Sequence, residues 1–218
     1  MSYLKAPLRI DNAIEQFCSE ISDEKPVYLE LEAEPYCVPL ECFPNVDLKI
    51  KKDGGTKVYG WQIWIWEDVF VEAEFHSVWK SDDGTLKDIT PKTDSTKRIL
   101  FLPDSKIVYE GKQVDNIRKP LSKNPLIRDY INTHKARFSL QNFGDRAYKH
   151  ELTLEGEEYE IFRWLLTWQT TLQNMLGDNL TKNSRCPCGS GNKFKSCCRE
   201  NLTSGLQELE SKYSFTGL

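Results

Sequence analysis

Ile10, Ile14, Phe17 and Ile21 recur at steps of four, three and four, which predicts an amphipathic helix over residues 8–21. Cys18 lies beside Phe17, near that stripe, and reads as a small core residue. After Pro26 the period drops to two. Val27, Leu29, Leu31 and Ala33 then face inward and three glutamates outward, a strand over 27–34. Pro35 to Pro39 is a loop. Pro44 fits a first helical turn and Gly54-Gly55 a stop, so a short helix begins next to Cys42. That start places the Cys42 thiol at the positive end of the helix dipole.

Aromatic-rich strands follow at 57–66, 70–79 and 85–90, the last two joined by the hairpin loop Asp82-Asp83-Gly84. In that register Ser81 faces Thr85, Val78 faces Asp88 and His76 faces Thr90. His76 and Asp88 therefore become diagonal neighbours on one face, within side-chain reach. Trp61, Trp64 and Trp66 point to both sides of their strand and read as packing on both sheet faces. Residues 99–102 predict a further strand and 106–109 one more. Beyond Pro120 the period is helical. Leu126, Ile127, Tyr130, Ile131, His134 and Phe138 form one stripe, and 157–176 is the strongest helix, closed by Gly177. His134 reads as a core histidine and His150, between Lys149 and Glu151, as a surface one. No internal repeat is visible.

The expected class is α+β: an antiparallel sheet with N-terminal helices and C-terminal helices packed on it, plus a small C-terminal cysteine-rich knuckle. The expected division is a body over 1–176, a polar linker over 177–184, the knuckle over 185–199 and a tail over 200–218 with a short helix near Gln207. At 218 residues, 39% hydrophobic and 28% charged, the chain can bury a real core. Its net charge of −4 gives no global pull toward nucleic acid. No secretory h-region and no stretch of 18 apolar residues is visible, so neither export nor a membrane span is expected.

Four of the seven cysteines fall within thirteen residues, Cys186-Pro-Cys188 and then Cys197-Cys198. Gly189 and Gly191 can take the positive φ that folds such a loop back. Four convergent thiolates suit Zn²⁺, which favours closed tetrahedral sulfur sites. The spacing, with Cys18, Cys37 and Cys42 scattered elsewhere, reads as a reducing cytoplasm and not as a disulfide framework. The run Cys186 to Cys198 resembles the SEC-C family, the zinc motif at the C-terminus of the bacterial secretion ATPase, with Cys198 where that protein has His and Asn192 where Lys is usual. The resemblance implies one structural zinc ion held by Cys186, Cys188, Cys197 and Cys198. Lys182, Arg185, Lys193, Lys195 and Arg199 surround it. They either balance the thiolates or, as the resemblance implies, present a docking surface for an acidic protein partner. RNA or ribosome contact is a weaker alternative, since so small a patch loses affinity with salt.

Cys42 at a helix start, His76 on a strand and Asp88 on the next offer a nucleophile, a base and a group that fixes the imidazole tautomer. The run His76-Ser77-Val78-Trp79, then Gly84, then Asp88-Ile89-Thr90 resembles the H-x-W…G…D-x-T signature of transglutaminase-like and papain-like folds. That resemblance, over residues 40–91, implies a catalytic Cys42, His76 and Asp88. Two other readings of these residues stand beside it: a buried structural set, or a second metal site from Cys37, Cys42 and His76. The chain is thus either a thiol enzyme acting on amides by hydrolysis or acyl transfer, or a non-catalytic adaptor binding a protein partner. Oligomeric state is not legible.

Overall fold

The computed structural model describes residues 3–93, 96–149 and 151–215. The surface reading of His150 lies outside them. By its contacts the chain forms two compact units, residues 1–110 with 116–121, and residues 111–115 with 122–218.

The first unit is built on a six-stranded antiparallel sheet. Its strands are β1 (Val27–Glu30), β2 (Thr56–Trp66), β3 (Phe70–Lys80), β4 (Leu86–Lys87), β5 (Arg98–Pro103) and β6 (Ile117–Pro120). The order is β1-β5-β2-β3-β4, and β6 pairs with the far end of the same β3 edge that β4 uses. The β2–β3 hairpin is the spine, because its alternating apolar residues bury both faces. On one face Val78 packs with Leu29, Ile99 and Phe101; on the other Trp79 packs with Val46, Cys37 and Ile89. Gly60 interrupts β2 for a steric reason. A Cβ there would lie 2.2 Å from the Leu102 carbonyl oxygen, so only glycine lets β5 approach this closely.

Two helices complete this unit. α1 (Asn12–Ile21) starts later than the stripe predicts, because the Asp11 carboxylate caps it by accepting from the Ala13 and Ile14 amides. α2 (Cys42–Asp53) starts at Cys42 and ends at Gly54 in the left-handed region, as its turn residues predict. β1 stops at Glu30, short of the expected Glu34, because the chain then leaves the ladder to bridge Asp88: the Glu32 N–H donates to the Asp88 carbonyl at 2.8 Å. The expected strand over 85–90 is likewise only two residues long. Residues 106–109 form no strand; Tyr109 instead stacks on Phe43 at 4.1 Å between ring centroids. β6 has no period-two apolar pattern and was not predicted. Backbone pairing and the Arg118–Glu72 ion pair (2.6 Å) hold it.

The second unit is helical: α3 (Pro125–Gln141), α4 (Gly156–Gly177) and α5 (Cys198–Tyr213). α3 is capped by Asn124, with Pro125 in its first turn, and it packs against both other helices. Of its predicted stripe Leu126, Ile127, Tyr130 and Ile131 are buried and Phe138 is half-buried. His134 is half-buried, edge-on to Tyr130 at 4.6 Å between centroids. Gly177 is the last residue of α4, and the left-handed residue beyond it is Asn179.

The α+β class is as expected, but the units divide near residue 121 and not at 177–184. The expected linker is a structured turn, in which the Leu180 N–H donates to Met175 O (2.8 Å) and Asn124 Nδ2 donates to Leu180 O (2.8 Å). The expected polar tail is α5, which buries Leu202, Leu206, Leu209 and Tyr213. Those residues recur at helical spacing, a pattern diluted in the sequence by charged neighbours.

Candidate functional site

Cys42, His76 and Asp88 converge in the first unit. The β3–β4 register (Lys80 opposite Leu86, Trp79 opposite Lys87) continues to place Asp88 diagonally from His76, and His76 Nε2 lies 3.2 Å from Asp88 Oδ1. That contact leaves Nδ1 as the nitrogen available to Cys42, whose charge acts on the same ring. Cys42 is the first residue of α2, a helix with no side-chain cap, and it is 7% exposed. Its approach is fixed by the buried Asn45, whose side chain accepts from the Val38 N–H (2.9 Å) and donates to Val38 O (2.8 Å) and Thr90 Oγ1 (3.3 Å). Two residues before the thiol, Leu40 is 84% exposed and held at φ 68°, a conformation disfavoured for leucine.

Asp88 is fully buried; its Oδ1 is hydrogen-bonded, while Oδ2 makes no directed hydrogen bond and meets only the Lys92 charge. Oδ1 also accepts from the Thr90 N–H at 3.1 Å, and Lys92 Nζ lies 2.9 Å from Oδ2. Burial pushes the Asp88 carboxyl up, but His76 and then Lys92 outweigh it and hold the group below its usual range. For His76, burial works against protonation, while Asp88 and Cys42 raise the ring above its ordinary value. Burial also raises the Cys42 thiol; the charge on His76 first, with smaller contributions from His76 and Ser77 polar groups, more than offsets it, leaving the thiol below its ordinary value. The arrangement favours a thiolate–imidazolium pair. By contrast burial pushes Cys18 up to about 12 and raises Cys37, as expected of inert packed thiols.

Lys92, Gln62, Asn45 and Ser77 were not singled out in the sequence. Only Lys92 carried a signal, a cation four residues after Asp88 beyond a proline.

The second cluster lies in the second unit. The sulfurs of Cys186, Cys188, Cys197 and Cys198 lie within 4.8 Å of one another. Among the described residues no other set of three or more His, Cys, Asp or Glu ligand atoms converges in this way, and Cys37, Cys42 and His76 do not form one. Cys188 and Cys197 are 3.6 Å apart and Cys197 and Cys198 4.0 Å, against edges of about 3.8 Å for a tetrahedron with metal–sulfur bonds of roughly 2.3 Å. The donor set therefore fits a thiophilic, four-coordinate metal ion.

Gly189 and Gly191 both have φ near 80°, and the Cys186 N–H donates across the loop to Asn192 O at 2.7 Å. Hydrogen bonds from Ser190 and neighbouring thiols bring Cys188 down to about 6, while hydrogen bonding with Cys186 first, then burial, pushes Cys198 up to about 12. The first charge in the cluster comes easily and the last does not, which is the imbalance a cation removes. Phe194, fully buried beside Trp168 (6.2 Å), ties the loop to α4. Arg199 ties it to α3 through two bonds to the buried Asp129 (2.7 and 3.0 Å). Arg199 is therefore engaged within the unit, and the open basic surface consists of Lys182, Arg185, Lys193 and Lys195.

The SEC-C motif profile matches residues 183–200, the segment that carries this cluster. No curated protein and no solved structure matches the chain. The likeness to transglutaminase-like and papain-like folds thus rests on residues 40–91 alone. Among the described residues no helix is long and apolar enough to cross a membrane.

Proposed function

We propose that the first unit is a thiol enzyme of the reducing cytoplasm, cleaving or transferring an acyl group from an amide, and that the four-cysteine cluster holds one structural zinc ion. The observation that supports the enzyme most is that the buried His76 ring, bonded to Asp88 Oδ1 at 3.2 Å, also lies close enough to Cys42 for each to shift the other's titration.

The steps follow from that geometry. Cys42 Sγ, its proton held on His76, adds to the amide carbonyl carbon and a carbon–sulfur bond forms. The uncapped first-turn amides of α2 are the natural donors to the oxyanion. As the carbon–nitrogen bond breaks, His76 gives its proton to the departing amine. His76 then takes a proton from water, or from an acceptor amine, as that group attacks the thioester and releases the thiol. Asp88 keeps the ring in the tautomer this needs.

The test is alkylation. In zinc-saturated protein at about pH 6, iodoacetamide is expected to modify Cys42 at least about tenfold faster than Cys18 or Cys37, and His76→Ala to abolish that lead. Equal, slow labelling of all three would remove the reading.

A second reading, a partner-binding surface, is favoured by a groove in the second unit. α4 and α5 both pack on α3 and leave a cavity of about 440 Å³ between them. Trp164 crosses it to reach Gly205, where a Cβ would come within 2.7 Å of the indole. Ile161 and Leu209 line the groove, and Glu157, Glu160 and Glu208 outnumber Lys212. An apolar floor with an indole and an acidic rim fits a basic, amphipathic segment of a partner protein. A labelled arginine–leucine peptide is expected to bind the full chain and to lose at least about fivefold affinity in Glu160→Gln/Glu208→Gln. Equal binding by that variant, or preference for a glutamate–leucine peptide, would exclude this occupant.

A further inference from the structure

Asp88 does not serve His76 alone. Its second oxygen faces Lys92, whose side chain is 13% exposed and whose ammonium is steered by a further bond to Gln62 Oε1 at 2.9 Å. A lysine so withdrawn from water is costly unless its charge is compensated, and a methionine of similar length would fill the same space without that cost. Gln62 is itself 1% exposed and donates nothing to the set; it accepts from Lys92 and so fixes where the charge lies.

The charges around the imidazole can be taken element by element. α2 contributes Cys42, and the segment after β4 contributes Asp88 and Lys92. β2 contributes Gly60 and the neutral Gln62, and β5 the Phe101 ring at 6.4 Å. On β3 itself Glu74 is turned to the Trp64 indole N–H at 2.7 Å. Cys37 stays neutral, its thiol raised by burial. With thiolate, imidazolium and carboxylate alone the buried set would carry one net negative charge; with Lys92 it carries none.

We propose that Lys92 is a positioning residue of the thiol site: by holding Asp88 Oδ2 while His76 holds Oδ1, it keeps the set electroneutral and Cys42 ionised. This rests on the thiol-enzyme reading above. Its removal has two effects of the same sign. Asp88 would act on His76 undivided, so the ring would bind its proton more tightly. Cys42 would then belong to a buried set of net negative charge, so its thiol would ionise at higher pH. Changing the net charge of a buried set by one moves such midpoints by about one pH unit or more.

The experiment uses the full chain. In Lys92→Met the His76 ring titration, followed by NMR, and the pH midpoint of Cys42 alkylation by iodoacetamide are both expected to rise by about one pH unit. Alkylation at about pH 6 then falls about tenfold and recovers in alkali. Lys92→Arg restores both, which a role in packing alone would not require. Should Lys92→Met fail to fold, Gln62→Leu, which frees the ammonium without altering any charge, shifts both midpoints the same way by less. Unmoved midpoints in a folded variant would overturn the proposal. An ordinary Cys42 thiol in the native chain, combined with a moving His76 midpoint, would sink the enzyme reading and leave the Lys92–Asp88–His76 coupling standing.

Discussion

Cys188→Ser, or prolonged chelation of the native chain, is expected to unfold residues 183–200 and loosen α5 while the β2–β3 hairpin keeps its protection. Of residues 183–197 only Cys186 and Phe194 are buried, so the loop has almost no core to hold it without metal. Structural zinc supplies on the order of 10–16 kcal/mol to comparable small modules at neutral pH. Once the loop opens, the Phe194–Trp168 contact and the Arg199–Asp129 bonds are released together, and α5 loses the anchors at its first turn. Cys198→His, by contrast, is expected to keep its metal, because imidazole is an alternative zinc ligand. Affinity should also fall with falling pH, as the thiolates must be deprotonated to bind. Metal content by elemental analysis, with hydrogen exchange resolved to peptides, reads all of these. A Cys188→Ser protein with stoichiometric metal and unchanged exchange would show that the four sulfurs do not act as one site.

What the sequence disclosed follows from how local each feature is. The cysteine loop is legible because ligand identity, spacing and the two glycines lie within thirteen residues. His76 and Asp88 are legible because a three-residue hairpin loop fixes register, and register alone places them. The partners from farther away are not legible. Lys92 and Gln62 meet across thirty residues through a sheet order that periodicity does not reveal, and Asn45 looks like any polar residue in a first helical turn. β6 was invisible because backbone bonds and one buried ion pair hold it, not an alternating apolar face. The domain boundary was misplaced for a related reason. Helices α3 and α4 read as part of the body by default, and only α5, hidden among charged residues, shows that they have a helical partner of their own.

Asp88→Asn is expected to reduce Cys42 reactivity at about pH 6 by about tenfold or more if the site works as a triad, since a neutral amide no longer stabilises the imidazolium that keeps the thiol ionised. Its effect on stability should depend on pH in a way that identifies both partners. The Asp88 carboxyl is depressed in the fold, so its contribution is present above the unfolded value of about 3.9 and lost as pH falls through the folded one. The His76 ring is raised, so its contribution is complete below about 6.5 and lost as pH rises through the folded value. The pair therefore stabilises the first unit most between about pH 4 and 6.5, and Asp88→Asn should flatten the profile on both sides. Asp88→Ala goes further: it leaves the Lys92 ammonium withdrawn from water without its counter-charge, a loss of about 3–5 kcal/mol. Urea titrations at about pH 3, 5.5 and 9, followed through exchange protection of β2 and β3, separate the cases. If the native chain and Asp88→Asn differ equally at all three, the carboxylate is only packing material, and the chemistry assigned to Cys42 loses its support.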